Sequence, residues 1–390
     1  MMKFYSLNRK SPLVSFREAV VRGIAPDRGL YFPETIDSLP EGFFSNLEGL
    51  DRNELALALI GQFVGDEIPQ GELFELIREV LSFDFPLVPV EPNVFSLELF
   101  HGPTMAFKDL GARFMARCLS HFNKDHQQEV TVLVATSGDT GGAVASGFLG
   151  VEGVNVVILY PSGKVSEVQE KQLTTLGQNI RALEVEGTFD DCQDMVKTAF
   201  LDSEITDHIQ LTSANSINVA RWLPQMCYFA FAYQQLDDKS QAPVFSIPSG
   251  NFGNICAGIM AKRLGLPVSH FVAATNVNRV VPNFMESGVY TPMDSIATIS
   301  NAMDVGDPSN FVRIREIYDN DFEKLRADLS SYSFTDEQTK EAMSMIYDKS
   351  GYVTDPHGAV CYLGLKKHLA KLSKHTGKSG EPAKPGIFLE

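Results

Sequence analysis

From residue 94 onward the chain alternates short β-branched runs with longer stretches of helical period, and no other feature narrows its fold so far. The apolar runs fall at 94–100, 130–135, 154–159, 180–185, 243–247 and 268–273. Between them, helical patterns cover 111–122, 165–176, 190–201, 218–236 and 254–264. Runs that apolar need cover on both faces, and crossover helices supply it, so the pattern predicts βαβ units and a largely parallel sheet, an α/β fold. Ligands of such sheets sit where strand C-termini meet helix N-termini. Residues up to about 85 read differently. Stretches 54–60 and 73–81 carry apolar stripes at helical period, and Pro86, Pro89 and Pro92 then break that pattern and mark a boundary. A Lys, Ser, Gly and Pro run at 371–385 predicts a loop. A chain of 390 residues is too long for one small core and predicts two or three domains.

With 33 basic against 49 acidic residues the net charge is -16, which argues against a nucleic-acid or anionic-membrane surface. Any anionic ligand must therefore be caught by a local site. No apolar run approaches the roughly 18 residues of a bilayer span, and the N-terminal segment lacks a secretory apolar region, so the chain reads as cytoplasmic. The five cysteines, Cys118, Cys192, Cys227, Cys256 and Cys361, are far apart and never in a CxxC pair. They predict neither a disulfide framework nor a zinc site, but buried thiols in helices. The eight histidines form no HExxH, and no metal is expected.

The segment His101-Gly102-Pro103-Thr104-Met105-Ala106-Phe107-Lys108-Asp109 places one lysine between the strand at 94–100 and the next helix. Lys108 has two readings: a solvated residue opening an amphipathic helix, or a desolvated amine able to join an aldehyde and later carry protons. Three further segments stand at strand-to-helix junctions. Thr136-Ser137-Gly138-Asp139-Thr140-Gly141-Gly142 precedes a helix expected at 143–147 and suits a carboxylate or phosphate, or is an ordinary capped glycine turn. Pro248-Ser249-Gly250-Asn251-Phe252-Gly253-Asn254 has the same logic and would hold a phosphate on backbone amides. It matches neither GxxxxGK[ST] nor GxGxxG, so nucleotide binding loses ground. Thr212-Ser213-Ala214-Asn215-Ser216-Ile217-Asn218-Val219-Ala220-Arg221 joins amide and hydroxyl donors to an arginine, the equipment for a phosphate dianion. The alternative there is a surface Arg221 and a helix-capping Asn215. Together the segments offer more anion sites than one ligand needs, and a phosphorylated aldehyde with a phosphorylated amino acid would fill them.

At these residues the chain resembles the fold-type II pyridoxal-phosphate enzymes, whose architecture is that of the tryptophan synthase β chain, and within them the threonine synthase family. The likeness runs through MKFYS at the start, APDRGLY at 25–31, HGPTMAFKD, ATSGDTGGA, SANSIN, PSGNFGN, AATNVN, SNAMDV at 300–305 and DPH at 355–357. It implies two α/β domains with parallel-rich sheets behind a mostly helical N-terminal domain, residues 1–92. The pyridoxal-phosphate-dependent core would be 93–390, with a smaller α/β subdomain at about 110–210. Carried over residue by residue, the resemblance makes Lys108 the Schiff-base lysine of pyridoxal 5'-phosphate and Gly250, Asn251, Phe252, Gly253 and Asn254 the cradle of its phosphate. Ser137, Gly138, Asp139 and Thr140 would face the substrate carboxylate and the cofactor ring edge. Asn215, Ser216 and Arg221 would grip the substrate phosphate. Where many fold relatives carry Asn, this chain has Asp139, so a hydrogen bond to the cofactor phenolic oxygen does not carry over directly. Family members continue past a segment like 386–390 with Thr-Ala-His-Pro, whose threonine faces the pyridine nitrogen; the sequence here ends at Glu390.

The implied reaction converts O-phospho-L-homoserine and water to L-threonine and phosphate, by a monomer or homodimer. Two rivals stay open at this stage. A serine/threonine dehydratase of the same fold would not need the grip of Asn215, Ser216 and Arg221. A ligand-binding relative without catalysis would not need Lys108 and all three loops intact.

Overall fold

The computed structural model describes residues 2–47, 49–124, 129–376 and 384–390. The first 84 residues contribute β1 (Phe4–Ser6), α1 (Phe16–Arg22), β2 (Tyr31–Pro33), α2 (Arg52–Val64) and α3 (Gln70–Val80). Next come β3 (Leu87–Glu91), β4 (Val94–Leu97) and α4 (Lys108–Asn123). The expected alternation follows as β5 (Val130–Ala135), α5 (Asp139–Phe148), β6 (Val154–Pro161), α6 (Glu167–Thr174), β7 (Ile180–Val185), α7 (Phe189–Ala199), α8 (Ser203–Thr206), β8 (Gln210–Ser213), α9 (Val219–Trp222) and α10 (Met226–Gln235). It resumes with β9 (Val244–Pro248), α11 (Gly253–Arg263), β10 (His270–Thr275), α12 (Val280–Ser287), α13 (Phe311–Ile317), α14 (Phe322–Asp328), β11 (Leu329–Ser333), α15 (Asp336–Ser350), α16 (Pro356–Thr376) and β12 (Gly386–Leu389).

Two compact units result. The first comprises Met1–Asp37, Asp51–Asp84 and Phe100–Gln225. Its sheet has four parallel strands in the order β7-β6-β5-β8, with Val130 opposite both Val154 and Gln210. Glycine is obligatory where α4 meets α9, because a Cβ on Gly111 would lie 2.3 Å from the Arg221 carbonyl oxygen. The early residues are built into this unit. Trp222, wholly buried, stacks on Phe32 at 6.3 Å, and the buried Asn218 donates from Nδ2 to the Val20 carbonyl at 2.8 Å. The APDRGLY turn is tied to β1 by Asp27, which accepts from Ser6 Oγ at 2.6 Å, the Lys10 amide at 2.8 Å and the Gly29 amide at 2.9 Å.

The second unit comprises Ser38–Leu50, Phe85–Leu99 and Met226–Glu390. Its six strands run β11-β10-β9-β12-β4-β3, all parallel except the β3–β4 pair. The proline-rich stretch does break the helical pattern and lies where the chain passes from the first unit to the second, and it also forms edge strand β3. Pro89 is tolerated there because an edge residue need not donate to a second neighbour. Strand β12 fills the centre, with Ile387 and Phe388 fully buried, and α16 covers it through Val360, Cys361, Tyr362 and Leu365.

Several expected bounds shift. The strand at 94–100 stops at Leu97, and the helix expected at 111–122 already begins at Lys108. The helix expected at 218–236 is interrupted by a 3-10 turn, Leu223–Gln225, at Pro224, which cannot donate to the helical ladder. The loop expected at 371–385 is helical as far as Thr376, and residues 377–383 lie outside the described residues. All five cysteines are buried, each in a helix, and burial pushes every one of their thiols up. Among the described residues no helix is long and apolar enough to cross a membrane.

Candidate functional site

Lys108 is the first residue of α4, and its approach is fixed by its neighbour Asp109. The Asp109 carboxylate is 1% exposed and accepts from the Thr104 amide at 2.9 Å and Thr104 Oγ1 at 2.6 Å. Burial raises its pKa, against the pull of the Thr104 hydrogen bonds. A Cβ on Gly102 would lie 2.4 Å from Asp109 Oδ2, so the glycine in HGPTMAFKD makes room for this clamp. Lys108 itself keeps 16% side-chain exposure, and its Nζ stands 3.4 Å from Asp139 Oδ2. That removes the solvated reading of this lysine.

Asp139 opens α5, four residues earlier than expected, from the loop Thr136–Gly138. Gly138 sits at φ 140, a conformation that side chains rarely adopt. The loop is organised from within by Thr136, 1% exposed, whose Oγ1 accepts from the Gly138 amide at 2.9 Å and the Gly141 amide at 2.8 Å. Two donors that sequence reasoning left for a ligand are thus spent on the loop. Ser137 is exposed, and Asp139 and Thr140 are half-buried. Asp139 Oδ1 accepts from Gln169 Nε2 at 2.7 Å, a partner with no motif to announce it.

The SANSIN segment leads from β8 into α9. Its capping residue is Asn218, whose Oδ1 accepts from the Ala220 amide at 3.0 Å, so the capping alternative for Asn215 falls. Asn215 Oδ1 is buried with no hydrogen-bond partner among the described residues. Arg221 is 3% exposed and donates from Nη1 to the Ala214 carbonyl, so it is not a surface residue. Ser216 is half-buried on the same step.

In the second unit, the loop 249–254 opens α11 with Phe252 in the left-handed region at φ 62, its ring edge-on to Phe311 at 5.7 Å. The Asn side chains serve the loop itself. Asn254 Nδ2 donates to the Pro248 carbonyl at 2.8 Å, and Asn251 Oδ1 accepts from the Ser309 amide at 2.6 Å. Asn310 Nδ2 donates to the Asn251 carbonyl at 3.0 Å while its Oδ1 accepts from the fully buried Arg313 at 2.5 Å. Burial lowers the Arg313 pKa to about 9, with Cys256 opposing. A Cβ on Gly250 would lie 2.6 Å from the Ala302 carbonyl oxygen, so protein backbone demands that glycine. The segment around Ala302 is held in turn by the other motifs. Asn276 Nδ2 donates to Thr298 Oγ1 and to Asp304 Oδ1, both at 2.8 Å, and the Ala302 amide donates to His357 Nε2 at 3.3 Å. AATNVN, SNAMDV and DPH are therefore the scaffold of the PSGNFGN loop.

Helices α4, α5 and α11 share one property. None is capped by its N-cap side chain, as is also true of α3, α12 and α13, and at α5 Thr136 Oγ1 takes the Gly141 amide instead. An uncapped N-terminus offers amides and a positive dipole end to an anion. The structure brings Lys108 and Asp139 into contact, places Asn215, Ser216 and Arg221 on one step of the same unit, and puts Gly250, Asn251, Phe252, Gly253 and Asn254 in the other.

Comparison with known proteins gives two family matches: "Threonine synthase N terminus" over residues 3–81 and "Pyridoxal-phosphate dependent enzyme" over residues 86–379. Threonine synthase of Haemophilus influenzae is 45% identical over 390 residues, spanning 100% of this chain and 90% of that protein. The crystal structure of threonine synthase from Escherichia coli superposes with a TM-score of 0.90 at 44% identity, covering 99% of this chain and 87% of that one. A pyridoxal-phosphate-bound threonine synthase from Brucella melitensis also gives 0.90, at 34% identity, covering 100% and 88%.

Proposed function

This chain belongs to the threonine synthase family of pyridoxal-phosphate-dependent enzymes, and from that membership we propose that it converts O-phospho-L-homoserine and water to L-threonine and phosphate. The residues fit the cofactor. A half-sequestered amine at the start of α4 suits its aldehyde, and the uncapped start of α11 suits its phosphate. Lys108 would hold the one and the amides of Gly250, Asn251, Phe252, Gly253 and Asn254 the other, with Asp139 at the ring edge. When bound, the cofactor supplies an electron sink for charge developing on the substrate carbons.

The chain's own residues do the rest. Lys108, as a free amine, would take the Cα proton and carry protons at Cβ and Cγ, with Asp139 Oδ2 3.4 Å from its Nζ. Ser137 and Thr140, at the start of α5, hold the substrate carboxylate, and Gly138, whose own amide Thr136 takes, gives it room to approach. Asn215, Ser216 and Arg221 hold the phosphate and stabilise it as it leaves, an effect of ~3 kcal/mol for one well-placed donor. The two family matches, over 3–81 and 86–379, support an N-terminal domain, taken as residues 1–92, before a catalytic core, taken as 93–390; the subdomain proposed at about 110–210 falls within Phe100–Gln225 of the first unit. The enzyme works in the cytoplasm as a monomer or homodimer.

The observation that carries the reading beyond the family is the pair formed by the buried Arg221 guanidinium and the side-chain amide of Asn215, which follows Ala214, the residue to whose carbonyl Arg221 donates. A dehydratase acting on an unphosphorylated hydroxy amino acid has no use for that pair. The test is incubation of the cofactor-loaded protein with O-phospho-L-homoserine, measuring phosphate and threonine together. Equal release of both is expected. Ammonia from serine or threonine, with no phosphate from O-phosphohomoserine, would overturn it.

A further inference from the structure

Gln169 is the third residue of α6 and closes its capping box, with the Ser166 amide donating to Gln169 Oε1 at 3.1 Å and Ser166 Oγ accepting from the Gln169 amide at 3.2 Å. Because Oε1 must accept from a backbone amide, the other end of the side-chain amide is necessarily Nε2, and it faces Asp139 Oδ1 at 2.7 Å. The orientation of the amide is thus set from behind. The remaining oxygen of Asp139 is the one 3.4 Å from Lys108 Nζ. The loop leaves no slack, since a Cβ on Gly138 would come within 2.4 Å of the Gln169 side chain.

Other charges on elements packed against α4 are engaged elsewhere. Arg17 of α1 donates to the Phe122 carbonyl, Glu72 and Glu79 of α3 pair with His121 and Arg117, and Arg221 of α9 donates to the Ala214 carbonyl. On α4 itself, Asp109 is held by Thr104. Among the described residues, Asp139 is the carboxylate within ion-pair distance of Lys108.

We propose that Gln169 is a positioning residue for the Lys108 amine, holding Asp139 so that one carboxylate oxygen is always turned toward Nζ. The proposal rests on the reading of Lys108 as the cofactor-holding lysine. A carboxylate with 31% side-chain exposure would otherwise share its time with solvent-facing rotamers. A neutral donor suits the task, because it fixes the carboxylate without cancelling the charge that Lys108 meets. A cation in its place would compete with the lysine.

Two variants separate positioning from capping. Ser166→Ala removes the hydroxyl half of the capping box and leaves Gln169 Nε2 on Asp139; Gln169→Ala removes both. In the apoprotein, Lys108 is labelled with a competing amount of an amine-acylating reagent at one mildly alkaline pH and read by peptide mass spectrometry. Loss of the held carboxylate releases Nζ from its ion pair, so Gln169→Ala should label roughly two- to five-fold faster than wild type. Ser166→Ala should label like wild type, and in an Asp139→Asn background Gln169→Ala should add nothing. In the loaded enzyme, Gln169→Ala should lower kcat by roughly ten-fold with little change in KM. Equal labelling of wild type, Ser166→Ala and Gln169→Ala would reduce Gln169 to a cap and overturn the proposal. Borohydride trapping of the cofactor on a different lysine would instead overturn the reading on which it rests.

Discussion

The loops 136–142 and 248–254 look alike as strings, each a glycine-rich turn between a strand and a helix, yet they are held by opposite means. The first is organised locally, by the hydroxyl of Thr136 inside the loop and by Gln169 thirty residues on. The second is gripped from far along the chain, by the amide of Ser309, the side chain of Asn310 and the backbone at Ala302. The difference follows from what each is proposed to do. A loop that meets a reacting substrate next to Lys108 is set by its own threonine and the next helix, whereas a loop that parks a phosphate is clamped by segments distant in sequence. It also shows that a glycine in a ligand-binding motif is not thereby a ligand contact, for Gly250 answers to protein backbone.

The largest expected effect separates substrate from cofactor binding. Arg221→Ala should depress turnover of O-phosphohomoserine by several tens-fold or more, since a lost buried charge-assisted contact costs on the order of 2 to 5 kcal/mol. Cofactor loading and any slow reaction with unphosphorylated serine should stay near wild type. Steady-state kinetics on both substrates checks this, and an equal loss on both would remove Arg221 from the phosphate site.

Gly250→Ala strikes the clamped loop. Its new methyl meets the Ala302 carbonyl at 2.6 Å and Met303 Cα at 2.9 Å, atoms that move only with the backbone. A stability loss of about 3 kcal/mol by urea denaturation is expected, together with weakened cofactor binding. Unchanged values for both would mean that the loop is not clamped there.

Thr136→Val strikes the self-organised loop. It keeps the shape and removes the acceptor of two buried amides, which should cost about 2 kcal/mol in the same assay while cofactor affinity changes less than in Gly250→Ala. The reverse ranking in cofactor affinity would invert the assignment of the loops.

The smallest effect lies far from either loop. Burial would raise the pKa of Asp27, but hydrogen bonds from Ser6, Gly29, Lys10 and Ser11 outweigh it and hold the carboxyl at about 2, below its ordinary 3.8. The folded value being the lower one, the contribution is complete above pH 3.8 and fades as the pH falls toward 2. For a half-buried group screened by solvent on one side it should be under about 1 kcal/mol. Asp27→Asn should flatten stability against pH in that window and nowhere else.

Much of this was legible because it is local. The alternation from β5 to β10, the placement of Lys108 at a helix start and the burial of five helical cysteines all follow from short-range pattern. What escaped is long-range. The four residues of β12 carry no strand signal of their own, and become central only because Gly386 pairs with both Val94 and Val244. Strand β8 is as short and β11 only one residue longer, and Pro89 hid β3 until its edge position was known. At the site, residue type revealed the chemistry but not its allocation. Asn254 and Asn251 read as backbone-amide donors to a phosphate, and their side chains, which the motif leaves unassigned, go to the Pro248 carbonyl and the Ser309 amide. Asn218 read as one more amide in SANSIN and is the cap. Gln169 stands in a solvated-looking helix that gives no sign of Asp139.

The most direct measurement is to reduce the cofactor-loaded protein with borohydride, digest it and locate the modified lysine by mass. The account predicts one adduct, on Nζ of Lys108, formed in step with the loss of visible absorbance and of threonine production, and absent from Lys108→Ala. An adduct on another lysine, or threonine formed by Lys108→Ala at near the wild-type rate, would contradict it.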